Sequence, residues 1–221
     1  MMISAYTSRF STAGGRSVEE RFACRQYTSQ CDEHLIIRDV YLPAESDVTL
    51  STTGYEQHIV LPVAGALLFT SPDEAEWPVV PGQLVGSFAR DVEFFTAHNA
   101  APEDGANFLH IALRDTALMA PPGSRSIAEV ALTEKNKLIR GSGFAEQLMI
   151  GVYDSRVKGH HRVRDGHRVA AYVINGSFEV EERLMEYRDA LCLWDTPYIA
   201  YQALTEAAIL LLIEYSPAKS S

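Results

Sequence analysis

The run Val169-Ala170-Ala171-Tyr172-Val173-Ile174-Asn175-Gly176-Ser177-Phe178-Glu179-Val180 carries the decisive pattern. An apolar stretch rich in branched and aromatic residues meets an Asn-Gly pair, and a second short β-type run follows, which reads as strand, tight turn, strand. The same grammar occurs earlier, where Ile59-Val60-Leu61-Pro62-Val63 runs into Ala64-Gly65 and then Ala66-Leu67-Leu68-Phe69. That pairing predicts a hairpin. Each half then has a later turn, Pro81-Gly82-Gln83 in the first and Tyr187-Arg188-Asp189 in the second, with more strands beyond it. Such an internal repeat predicts two closed β-barrels rather than one large sandwich, because closure removes the exposed edges that many short strands would leave.

Working outward, β-type runs continue on both sides. In the first half they cover 35–42, 47–51, 58–63, 65–69, 77–82, 92–96 and 107–113. In the second they cover 147–153, 167–174, 177–180, 190–194, 199–203 and 207–214. The expected organisation is an N-terminal arm over 1–31, a first barrel over 32–118, a linker over 119–140 and a second barrel over 141–221. The arm is expected to carry one short helix or strand and to cross to the other barrel, and the linker to carry a short helix within Arg125–Leu138.

Composition supports a folded chain. The 221 residues are 47% hydrophobic and 22% charged, enough for two small cores. The net charge of −10 argues against direct nucleic-acid binding, which demands a basic surface. The densest basic stretch, Lys158 to Arg168, reads as a solvated loop. No apolar leader follows Met1, and the longest apolar stretch, Ala207 to Ile213, is far short of the roughly 20 residues that span a bilayer. Cys24, Cys31 and Cys192 have no paired spacing, which suggests reduced thiols in a cytoplasmic protein, with Cys192 a buried small hydrophobe.

Gly166 through Val180, continued by Leu184 to Leu191 and Ala203 to Leu211, resembles the second barrel of pirin-like bicupins. Arg188 stands where that family's turn has glycine. The resemblance implies an all-β fold of two tandem cupin barrels, each a double-stranded β-helix or jelly roll. Family members with an intact site are similar to quercetin dioxygenases and hold one iron-type metal in the first barrel with three His and one Glu. The family pattern laid on this chain puts a His-x-His pair at Thr52 and Gly54, the later His at Phe94 or Phe95, and the Glu at Thr96 or Ala97. None of these side chains binds a metal through imidazole or carboxylate. The expected cavity residues are therefore Thr52, Gly54, Glu56, His58, Phe94 and Thr96, with no metal cofactor.

Two functional readings follow. One is a small-molecule-binding, regulatory or accessory protein without a metal, acting on a ligand in the barrel or on a protein partner. The other is a metal-dependent dioxygenase or isomerase with one divalent Fe, Ni, Cu or Zn ion in a rearranged site of Glu56, His58, His98 and His110, a chemically sound donor set. Glu56 and His58 share a strand face by two-residue alternation. In the second barrel the histidines His160, His161 and His167 read as part of a charged loop, since the positions near Val169 and Tyr198 offer no ligand. No Gly-x-Ser-x-Gly elbow is present, and Thr12 to Ser17 lacks the lysine of a phosphate loop.

Overall fold

A computed structural model describes residues 7–15, 17–21, 24–51, 54–70, 76–88, 94–114, 125–130, 132–141, 143 and 147–217. The elements in chain order are β1 (Thr7–Ser11), β2 (Ser17–Arg21), β3 (Cys24–Gln30), β4 (Leu35–Leu42), β5 (Ser46–Ser51), β6 (Gln57–Ala64) and β7 (Leu67–Thr70). Next come β8 (Glu76–Val79), β9 (Gln83–Phe88), β10 (Phe94–Asn99), β11 (Ala106–Leu113), β12 (Arg125–Glu129), β13 (Ile139–Arg140) and β14 (Leu148–Tyr153). The last are β15 (Lys158–Arg162), β16 (Arg168–Asn175), β17 (Phe178–Val180), β18 (Arg183–Met185), β19 (Ala190–Trp194), β20 (Tyr198–Ala203) and β21 (Ala208–Tyr215). The described residues include a short 3-10 turn, Ala13–Gly15.

The strands divide into two compact units, an N-terminal barrel of β2–β12 and a C-terminal barrel of β1 with β13–β21. Each is built on the same eight strands. In the N-terminal barrel β9-β6-β11-β4 form one sheet and β5-β10-β7-β8 the other. In the C-terminal barrel β19-β16-β21-β14 and β15-β20-β17-β18 repeat that order. The two-barrel expectation holds. Extra strands cover the open edges: β12 on β9 and β3-β2 on β4 in the first barrel, β1 on β19 and β13 on β14 in the second. Unpaired edges invite foreign strands, so this capping has a clear physical use.

Several local expectations change. The segment before Gly65 and the one after it do not form a hairpin, because β6 and β7 lie in different sheets. Gly65, at φ 75°, turns the chain from one sheet to the other, and Gly176, at φ 74°, does the same between β16 and β17. A Cβ on Gly65 would stand 2.9 Å from Ala106 Cβ, and one on Gly176 would stand 3.0 Å from Ala208 Cβ. Only glycine fits both the conformation and the space. The stretch expected to carry a linker helix, 125–138, holds strand β12 instead, and β13 follows it. The first 31 residues hold β1, β2 and β3, and β1 pairs with β19 of the C-terminal barrel. Arg188, in the glycine's place, adopts φ 71° and lays its guanidinium 4.7 Å from the Tyr187 ring.

Lys158–Arg162 is also a strand, not a loop, and its burial alternates. His161 and Arg164 both hydrogen-bond the fully buried Glu214, His161 at 2.5 Å. Burial opposes ionisation of this carboxyl, but the hydrogen bonds from His161 and Arg164 and the charge of Arg164 outweigh it and hold the pKa at about 2. Cys24 is a free, buried thiol whose pKa burial pushes up. Cys192 is buried as expected, but it and Cys31 are each oxidised into a disulfide, so the reading of three reduced thiols is overturned. The support it lent to a cytoplasmic protein goes with it. No helix among the described residues is long and apolar enough to cross a membrane.

The C-terminal interior is filled by aromatic rings. Tyr153, Phe178 and Tyr201 pack edge to face, with the two tyrosine hydroxyls 2.7 Å apart. Gly159 faces Tyr201 in the β15–β20 register, and a Cβ there would enter the Tyr201 ring. Gly159→Ala is therefore expected to destabilise the chain by about 1–3 kcal/mol in guanidinium unfolding. Gly14→Ala, which meets nothing within 4 Å, should change stability by less than about 0.5 kcal/mol.

Candidate functional site

Three neighbouring strands of the N-terminal barrel place three polar side chains in its interior. β11 lies between β4 and β6. Arg38 on β4 stands opposite His110 on β11, which in turn stands opposite Val60 on β6. Strand alternation puts His58 on the same face as Val60, which belongs to the apolar core. His58 is 1% exposed and His110 0%.

These side chains form a hydrogen-bonded chain. Arg38 Nη1 is 3.1 Å from His110 Nδ1, His110 Nε2 is 3.1 Å from His58 Nδ1, and His58 Nε2 is 3.2 Å from the Tyr55 carbonyl oxygen. Its direction follows from one fact: a guanidinium only donates. His110 Nδ1 must accept, so His110 carries its proton on Nε2 and donates to His58 Nδ1. His58 then carries its proton on Nε2 and donates to the Tyr55 carbonyl. Both imidazoles are neutral. Burial pulls the His58 pKa down to about 4, with the Arg38 charge adding to it and the Tyr55 hydrogen bond opposing. Burial, then His58 and Arg38, pull His110 well below the usual value. The Phe95 ring closes the chain on one side, its centroid 5.0 Å from His110 and 6.2 Å from His58.

The repeat supplies an internal control. Taking Gly176 for Gly65 and Ala208 for Ala106, the equivalents of Arg38, His58 and His110 are Met149, Val169 and Leu212. All three are buried in the C-terminal core. The barrel fold therefore does not require polar groups here.

Arg38 also lines a cavity of about 810 Å³ between β5 and strands β2–β4. Its polar wall includes Glu19, Gln26, Thr28, Asp47 and Thr49. Sequence reasoning missed Arg38, Glu19 and Asp47. The signal for Arg38 was there: an arginine alternating with apolar residues inside Leu35-Ile36-Ile37-Arg38-Asp39-Val40.

The expected residues are only partly brought together. His58 and His110 are in contact, their rings stacked at 5.3 Å. Glu56 is half-buried just before β6, its amide bonded to the Leu113 carbonyl. On β10 the core residues are Phe95 and Ala97, so His98 and Thr96 face the other way. There Thr96 pairs with Thr49 and Thr70, and His98 with Asp47 and Leu68. Gly54 is exposed at φ 85°, its carbonyl accepting from Arg114. Thr52 lies outside the described residues, and so does the Phe94 side chain.

A neutral imidazole has one lone pair in its ring plane. That of His110 is taken by Arg38 and that of His58 by His110. Among the described residues no group of three or more His, Cys, Asp and Glu side chains lies close enough to hold a metal ion. These residues do not fit the three-His, one-Glu set that the resemblance implies, nor do they assemble the rearranged set of Glu56, His58, His98 and His110.

A family model described as the quercetinase C-terminal cupin domain matches residues 146–214. No curated protein matches the sequence. Among solved structures, the chain is similar to the bacterial pirin YhhW of Escherichia coli in complex with nickel(II), with a TM-score of 0.77 at 13% identity, covering 96% of this chain and 100% of that one. It is similar to quercetin 2,3-dioxygenase from Acinetobacter baumannii, with a TM-score of 0.71 at 12% identity, covering 96% and 80%. GK1651 from Geobacillus kaustophilus matches with a TM-score of 0.69 at 11% identity, covering 96% of each. The chain is a pirin-like bicupin in fold.

The neutral imidazoles make stability pH-dependent. The unfolded histidines take up protons as pH falls below about 6.5, whereas folded His58 stays neutral until about 4. Between those values the unfolded state binds more protons, so stability falls with falling pH, by up to about 1.4 kcal/mol per pH unit for each imidazole. The variant R38M/H58V/H110L, which installs the C-terminal barrel's own residues, is expected to fold at least as stably at pH 7 and to have a flatter profile. Denaturant unfolding at pH 7, 6 and 5 compares them; equal slopes would show that the histidines are not held neutral.

Proposed function

We propose that this pirin-like bicupin binds a small polar molecule in its N-terminal barrel without a metal ion, in the cavity beside Arg38. The hydrogen-bonded chain of Arg38, His110 and His58 carries this reading. Buried polar groups cost free energy unless every partner is in place. The C-terminal barrel shows that the same fold does without them, using Met149, Val169 and Leu212. Their retention on one side only, next to a cavity of about 810 Å³, fits a binding role. The chain fixes Arg38 in place, so a ligand meets a charged group whose ordering has already been met on folding. Such a protein would act as a sensor or accessory factor through its ligand or a protein partner. The net charge of −10 keeps nucleic acid out of this reading.

The rival is a metal-dependent dioxygenase, favoured by likeness to the nickel-bound pirin and to quercetin 2,3-dioxygenase. Elemental analysis after incubation with Fe, Ni, Cu and Zn salts and removal of excess separates the two. Substoichiometric metal and no oxygen uptake with quercetin are expected. Near-stoichiometric metal that His58→Ala abolishes, together with oxygen uptake, would establish the rival instead.

A further inference from the structure

The cavity beside Arg38 has charges of both signs, and they are not mixed at random. Arg38 is its most enclosed charged group, desolvated enough that its hold on the proton weakens. The carboxylates sit at the mouth: Glu19 on β2, Glu45 just before β5, and Asp47 on β5 are all exposed. Glu19 lies near enough to Arg38 for its charge to favour the guanidinium. Between the two layers stand the neutral Gln26 and Thr28 of β3.

A guanidinium has five N–H donors in a flat fork suited to a carboxylate. Among the described residues, one hydrogen bond engages Arg38, to His110. Arg38 itself lines the cavity. A simple anion entering would pass the three carboxylates of the mouth before reaching Arg38. A simple cation would be held at the mouth and repelled further in. A molecule with an anionic head and a cationic tail satisfies both layers at once, and each charge is desolvated only against an opposite one.

We infer that the N-terminal barrel takes a small zwitterion, an amino acid or related amino-carboxylate, with its carboxylate on Arg38 and its ammonium at Glu19. This rests on the metal-free binding site proposed above and names its ligand class. A cavity of about 810 Å³ leaves ample room for such a molecule.

Calorimetric titration of the full chain with glycine, 4-aminobutyrate and 6-aminohexanoate samples three charge separations. Butyrate and butylamine are the single-charge controls. At least one zwitterion should bind about tenfold or more tightly than both controls. E19Q, which alters an exposed side chain only, should lose about tenfold for that zwitterion while leaving butyrate unchanged or improved. R38M/H58V/H110L, shown folded by circular dichroism, should bind neither. Butyrate binding as tightly as every zwitterion, no zwitterion binding at all, or E19Q binding as well as the parent would each overturn the inference. Metal content and oxygen uptake decide the earlier reading separately, so failure here leaves a metal-free barrel with a ligand of another class.

Discussion

Both barrels turn their corner on a glycine packed against an alanine. At Gly65 and again at Gly176 the chain leaves one sheet and enters the facing one with φ near 75°. The first residues of β11 and β21, Ala106 and Ala208, press so close that no side chain fits at either glycine. The whole double-sheet arrangement depends on these two contacts. They let the chain cross between layers within a few residues, and so set which face of β6 and β16 looks inward. A bulge near the same end of each of those strands absorbs the mismatch in register, and Pro62 sits at the first, where a missing N–H is tolerated. Since side chains alternate with a period of two, a slip here would exchange core and surface along the whole strand.

With the inward face set, the two barrels diverge in what they bury. The C-terminal one fills its interior with Tyr153, Phe178 and Tyr201, using Gly151 and Gly159 to admit the rings. Its fully buried carboxylate, Glu214, is answered by His161 and Arg164. The N-terminal one instead carries a chain of hydrogen bonds whose sense is imposed by a residue that cannot accept. That single restriction selects a tautomer for two histidines, keeps both neutral, and uses the lone pairs that a metal would need. The guanidinium thus stands as a covalently attached cation against the imidazoles.

Much of the fold was legible in the chain. The apolar runs ending at Gly65 and Gly176, the later turns, and the order of strands between them all pointed to a repeated barrel. Arg188 was recognisable as a residue in a glycine's place, and the arm did reach the C-terminal barrel through β1. Hairpin grammar misled at Gly65, because a tight turn between two apolar runs looks the same whether the strands pair or face each other across a core. The linker helix failed for a related reason. The pairing of β12 with β9 depends on an edge that exists only once the barrel has closed.

For the site, the sequence by itself determined that Thr52, Gly54 and Thr96 offer neither imidazole nor carboxylate, since residue type alone settles that. It also marked His58 and His110 as worth attention. Only the tertiary structure decided what those histidines do. Their partner Arg38 lies 20 residues from one and 72 from the other, and its role follows from strand register, which is fixed by long-range pairing rather than by local pattern. The direction of the hydrogen bonds required knowing which atoms meet. Charge sign along the cavity, with Arg38 within and Glu19 at the mouth, likewise exists only after β2 and β4 have been brought together.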